Sequence, residues 1–132
     1  LAGSPHIRLF RPVYDRRRLA RIMASCDALI HGADNEPFGL VASEGLASGL
    51  PLIIPDRGGC AELADVRYTE SYVAGDAQSA ADAVRRMFAR EQSILRAAAR
   101  TAAGRVRTDR DHAEALMAYY ARLLEERRAK AA

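Results

Sequence analysis

Residues 36–44 read Glu-Pro-Phe-Gly-Leu-Val-Ala-Ser-Glu, two carboxylates eight positions apart around a glycine-led apolar stretch. An ionised glutamate only accepts hydrogen bonds, so its natural ligands are donors such as sugar hydroxyls. Between the two, Phe38, Gly39, Leu40 and Val41 stand where a helix is expected to begin. The first N–H groups of a helix have no intrahelical acceptor, and the positive end of the helix dipole lies behind them, which suits a phosphate or pyrophosphate. Pro37 is compatible with a first turn because its missing N–H would be unpaired there. Gly39 carries no side chain and lets a ligand approach the backbone. On a helical wheel Glu44 shares an arc with the small residues Ser43, Ala47 and Ser48, opposite Val41, Ala42 and Leu46. It falls about 6–8 Å along the axis from the first turn. Hydroxyl acceptors on either side of an anion site match the layout of a nucleotide sugar: ribose, diphosphate, hexose. The plain alternative is a Glu44 that faces water, since two glutamates at this spacing are common.

The elements that must position these residues alternate between strand and helix. The segment 6–13, "HIRLFRPV", reads as a strand running into a loop at Pro12. Asp15 starts a helix with Leu19, Ile22, Met23 and Cys26 at i, i+3, i+4, i+7 spacing. Residues 27–31 form a short buried strand, 32–36 a polar loop, and 38–48 a helix stopped by Gly49 and Pro51. A third strand covers 52–55, a turn 56–59, a short helix 60–65, and a weaker strand 71–75. Asp76 caps a helix bearing Ala80, Val84, Met87 and Phe88 on one face. Helical stretches follow at about 91–105 and 110–129, the last striped with Ala113, Leu116, Met117, Tyr120 and Leu124. This alternation predicts an α/β fold: a Rossmann-like parallel sheet with helices on both faces. Ligands of such sheets bind beyond the carboxyl ends of the strands.

Composition excludes several classes. With 132 residues, 49% hydrophobic and 28% charged, the chain is one domain or part of one, and not a disordered segment. Its net charge of +3 arises from 20 basic and 17 acidic residues spread along the chain, so no nucleic-acid footprint is expected. Cys26 and Cys60 have no Cys-x-x-Cys spacing and read as buried, reduced thiols of a cytoplasmic protein. His6, His31 and His112 have no metal-ligand spacing. No Asp-x-Asp pair occurs in a strand-end loop; Asp34, Asn35 and Glu36 are the nearest oxygen cluster, and no metal or other cofactor is expected. No apolar run is long enough to cross a membrane, and no signal peptide is visible. Arg85, Arg86, Arg90, Arg122, Arg127 and Arg128 read as solvated helix faces, with peripheral contact at the inner membrane face as the sharper alternative.

The stretch 36–63 resembles the donor-site signature of retaining glycosyltransferases of family 4, which have the two-lobed GT-B fold. The shared pattern is Glu36, Phe38-Gly39, Glu44, Gly49-Leu50-Pro51, the apolar strand Leu52–Pro55, then Gly58-Gly59 and Glu62. Weaker similarity continues from "HIRLFRPV" to "YYARLL". The resemblance implies the C-terminal part of a donor lobe over residues 1–132, a fragment of a two-lobe enzyme. It implies that Glu36 is the catalytic-site glutamate contacting hydroxyls of the transferred sugar, that Glu44 binds the ribose, and that the backbone at Phe38, Gly39, Leu40 and Val41 holds the sugar and distal phosphate. Arg11 to Tyr14 would border the nucleobase. It further implies metal-independent sugar transfer, with retention, to a carbohydrate or lipid-linked acceptor held by another lobe. Two local departures stand out: His31-Gly32 replaces Pro-Ser, and "VRYTESYV" lacks the usual glycine.

The first two strands of such a donor lobe, with the cations that grip the pyrophosphate, are not in this sequence. A helix N-terminus alone contributes about 1–2 kcal/mol toward an anion, so poor binding and no turnover are expected of the isolated chain. Missing strands would also leave two sheet edges open. The expectation is a compacted sheet, with 6–13 beside 27–31, or a homodimer through the edge. A non-catalytic nucleotide-sugar-binding or self-associating module is the alternative function.

Overall fold

A computed structural model describes residues 4–34 and 36–131. Helix α1 (Arg16–Ala24) starts where Asp15 caps it, the carboxylate accepting from the Arg18 N–H at 3.1 Å. Strand β1 (Leu29–Ile30) leads into the loop before α2 (Leu40–Ala47), and β2 (Leu52–Pro55) into a short 3-10 helix (Gly59–Leu63). Then come β3 (Thr69–Tyr72), α3 (Ala77–Ala89), α4 (Gln92–Ala103) and α5 (Asp109–Ala131).

The sheet is parallel, in the order β1-β2-β3, with Leu29 opposite Leu52 and Leu52 opposite Thr69. β2 is the centre and all four of its residues are buried. Successive side chains of a strand point to opposite faces, and the two cores follow from that. Leu52 and Ile54 pack with Ala42 and Leu46 of α2 and Ala99 and Ala102 of α4. Ile53 packs the other way, with Tyr72, Ala83, Met87 and Leu95. Helices therefore cover both faces, as the alternating pattern predicts.

Local chemistry sets the helix ends. Leu50 N–H donates to Gly45 O (3.1 Å) and Gly49 N–H to Leu46 O (2.8 Å), the paired bonds of a Schellman stop. Asp76 caps α3 by accepting from the Gln78 and Ser79 N–H groups. Thr108 and Asp111 bond reciprocally at the start of α5, each side chain accepting from the other's backbone N–H.

Several expectations need correcting. Residues 6–13 form no strand: Leu9 and Phe10 are exposed, and the segment makes no ladder with β1. A strand exists only through its partner, and no strand adjoins the outer edge of β1 among the described residues, so the expected compaction does not occur. β3 begins two residues earlier than 71–75, because Thr69 and Glu70 pair with Leu52 and Ile53. Phe88 lies half-exposed, off the buried face formed by Ala83 and Met87. The α5 stripe of Leu116, Met117, Tyr120 and Leu124 is likewise exposed.

The arginines of α3 are less free than a solvated face implies. Glu70 accepts from both Arg86 and Arg90 at 2.9 Å. Arg90 also donates to the carbonyls of Val66 and Thr69, so it ties the end of α3 to the entry of β3. Among the described residues, no helix is long and apolar enough to cross a membrane.

Candidate functional site

The loop from β1 to α2 runs over the carboxyl end of the sheet, and its structure depends on Glu36. Asn35 falls outside the described residues. Glu36 is half-buried, and its Oε1 accepts from the N–H groups of Phe38 (3.1 Å) and Gly39 (3.2 Å). Its Oε2 takes no hydrogen bond from any described residue. The helix begins later than 38: Gly39 is its N-cap, with φ 65°, and Leu40 is the first helical residue. A side chain at that φ is disfavoured. It would also stand 3.0 Å from the Cys60 N, so glycine suits this cap on two counts. Pro37 consequently sits in a bend outside the first turn.

This arrangement divides the amides that the sequence offers an anion. Phe38 and Gly39 N–H already point at a carboxylate in the protein, whereas Leu40 and Val41 N–H have no acceptor among the described residues. Phe38 and Leu40 carry exposed side chains, and Val41 is partly exposed. The start of α2 thus presents open backbone donors flanked by apolar surface, with Glu36 Oε2 beside them as a charged acceptor.

Glu44 lies one helical turn further along. It is exposed, and its carboxylate takes no hydrogen bond from any described residue. Ala42, Gly45 and Leu46 face the core, so Glu44, Ala47 and Ser48 turn the other way, toward α1. There they line a cavity of about 290 Å³ together with Arg16, Leu19, Ala20 and Met23 of α1. The small-residue arc therefore leaves room over Glu44, as its composition implies. Glu36 does not line this cavity. The two glutamates flank the start of α2: one ahead of its N-terminus, one over a groove along its side.

The α1 wall of the groove was not apparent from residue types. Leu19 and Met23 belong to a stripe that reads as a core face, yet α1 has no buried residue. Arg11 to Tyr14 do not line the cavity; Arg16 is the first residue on that side to reach it.

Below the loop, Cys60 is fully buried, and burial, reinforced by the nearby Glu36 carboxylate, pushes its thiol pKa up. Cys26 is exposed, contrary to the expected pair of buried thiols. The Tyr72 hydroxyl donates to the His31 carbonyl at 2.5 Å and braces the end of β1. The His31 Nε2 is buried without a partner among the described residues. No group of three or more His, Cys, Asp or Glu side chains that could hold a metal ion occurs among the described residues.

The family described as "Glycosyl transferases group 1" matches residues 3–106 of the chain. A GDP-mannose-dependent alpha-mannosyltransferase of Mycobacterium tuberculosis (strain CDC 1551 / Oshkosh) is 47% identical over 47 residues. That match covers 36% of this chain and 12% of the mannosyltransferase, so the similarity spans a small part of that protein's length.

Proposed function

We propose, from the premise that this chain belongs to the group 1 glycosyl transferases, that it forms the donor side of a retaining, GT-B type sugar transferase. The observation that carries the reading is the start of α2, where the Leu40 and Val41 N–H groups have no acceptor among the described residues. Open amides at Leu40 and Val41 lie between a carboxylate at Glu36 and a groove headed by Glu44.

In this reading a nucleoside diphosphate sugar lies across the helix start. The ribose hydroxyls donate to Glu44, and the base rests on the apolar wall of Leu19, Ala20 and Met23. The distal phosphate takes the Leu40 and Val41 N–H groups. As the bond from the sugar to that phosphate breaks, negative charge builds on the phosphate oxygens, and fixed amides at the helix end stabilise it there. Glu36 Oε2 accepts from a hydroxyl of the sugar, while Oε1 stays on Phe38 and Gly39, so the carboxylate is oriented before the sugar arrives. The acceptor is a carbohydrate or lipid-linked hydroxyl held by another lobe of the enzyme.

The printed name of the mannosyltransferase relative makes GDP-mannose the first donor to test. The test is a titration of the protein as its gene encodes it with GDP-mannose, UDP-glucose and their free nucleotides. Binding of one nucleotide sugar, with release of the nucleoside diphosphate once an acceptor is supplied, is the expected result. Binding without release in any acceptor panel would support the non-catalytic module, and no binding at all would overturn the reading.

A further inference from the structure

We infer that Gly58 and Gly59 are positioning residues for Glu36, a side-chain-free clamp that hangs the donor loop on the central strand. This rests on the reading of Glu36 given under Proposed function.

The clamp is made of backbone. Gly59 N–H donates to Glu36 O at 2.7 Å, the one backbone bond between the 36–38 segment and the rest of the described residues. A Cβ on Gly58 would stand 2.7 Å from that same oxygen. One on Gly59 would stand 2.5 Å from Pro37 O and 2.7 Å from the Phe38 carbonyl carbon. Gly58 also has φ 78° and ψ −176°, a conformation essentially confined to glycine. All these neighbours are main-chain atoms, so they cannot swing aside as a side-chain tip would.

Each end of the contact has a different character. On one side, Gly58 follows closely on β2, whose four residues are fully buried, and Cys60 anchors the next turn in the core. On the other side, Pro37 and Phe38 are exposed. The rigid side therefore sets the position of the exposed one. With the Glu36 carbonyl held by Gly59, its carboxylate folds back through Oε1 onto the Phe38 and Gly39 N–H groups, and Oε2 takes no hydrogen bond from any described residue. A methyl group at either glycine must push the loop off by roughly 1 Å to reach ordinary contact. A displacement of that size at a reacting site can cost on the order of 100-fold in rate.

The experiment places Gly59→Ala, Gly58→Ala and Glu36→Gln, singly and combined, in the protein as its gene encodes it. GDP-mannose, or the sugar nucleotide that titrates tightest, is the donor, and each variant is assayed below its own unfolding midpoint. We expect kcat to fall about 30- to 100-fold in each glycine variant, with affinity for the free nucleoside diphosphate changed by less than about threefold. On the Glu36→Gln background the same glycine change should add less than about threefold, because its effect passes through that carboxylate. A glycine variant with wild-type kcat, or one that keeps its full factor on that background, overturns the inference. An unchanged kcat in Glu36→Gln alone would instead remove the role proposed for Glu36. The clamp is then judged by amide exchange in Gly58→Ala: faster exchange at Phe38 and Gly39, with β2 and β3 unaffected, supports it, and unchanged protection overturns it.

Discussion

Replacing Glu44 by alanine is expected to weaken nucleotide binding without weakening the fold. The carboxylate is exposed and takes no hydrogen bond from any described residue, so its loss removes no internal hydrogen bond, and the unfolding free energy should move by less than about 0.5 kcal/mol. In the proposed complex its partner is a ribose hydroxyl, and a hydrogen bond to a charged acceptor contributes about 1.5–3 kcal/mol. That corresponds to a loss of about 10- to 150-fold in affinity. The groove above Glu44 is open to water along α1, which raises the effective dielectric and places the expectation nearer 10- to 30-fold. Calorimetric titration of GDP against the wild type and Glu44→Ala measures the difference. A second titration uses 2′,3′-dideoxy-GDP, which lacks both ribose donors. The wild type should bind the dideoxy nucleotide about as weakly as the variant binds GDP, and the variant should hardly tell the two apart. If Glu44→Ala discriminates between the nucleotides as strongly as the wild type, the ribose contact lies elsewhere and the assignment fails.

Other expectations can be checked on the protein directly. Met87 is fully buried against Ile53, Tyr72, Ala83 and Leu95, so Met87→Ala should cost about 2–4 kcal/mol by urea unfolding; a loss below 1 kcal/mol would mean that this face of the sheet is not packed as described. Cys26 is exposed whereas Cys60 is buried with a raised thiol pKa, so at pH 8 a thiol reagent should modify Cys26 quickly and Cys60 only after unfolding; fast labelling of both, located by peptide mass, would refute the buried loop floor. Hydrogen bonds from the Arg67 side chain and backbone hold Asp65 down to about 2, below the roughly 3.9 of an unfolded chain. Its stabilising contribution is therefore present above about pH 4 and lost as pH falls through about 2. Asp65→Asn should lower the urea midpoint at pH 6 and converge with wild type near pH 2, and a constant gap across that range would exclude the Asp65–Arg67 pair as its source.

How much of the molecule was legible beforehand depends on how local the deciding interaction is. Asp15 and Asp76 cap their helices through amides two or three residues on, and Gly49 ends α2 through bonds within six residues. Such contacts are read directly from residue order. Leu52–Pro55 is short, apolar and bounded by turn residues, and it forms the central strand over the expected span. The small arc around Glu44 was likewise visible, because helical periodicity alone decides which residues share a side.

Tertiary structure decided the rest. "HIRLFRPV" has the residue types of a strand, but a ladder needs a neighbour, and none stands on the outer edge of β1 among the described residues. The stripe on α5 has helical spacing and remains exposed, since an amphipathic pattern states only that a face can be buried, not that something covers it. The groove over Glu44 needed α1 to lie beside α2 with its own apolar side left partly open. The amides of Phe38 and Gly39, which the sequence offers to a ligand, donate to Glu36; that bond is local, but it depends on a side-chain direction that residue types do not specify. The Glu36 loop itself is held by Gly59, twenty-three residues later. Residue types and short spacings determined the helices, the central strand and the identity of the candidate carboxylates. Where the Glu36 loop stands, and what faces Glu44, followed from contacts between distant segments, because only the packing of the two loops and of α1 beside α2 sets that geometry.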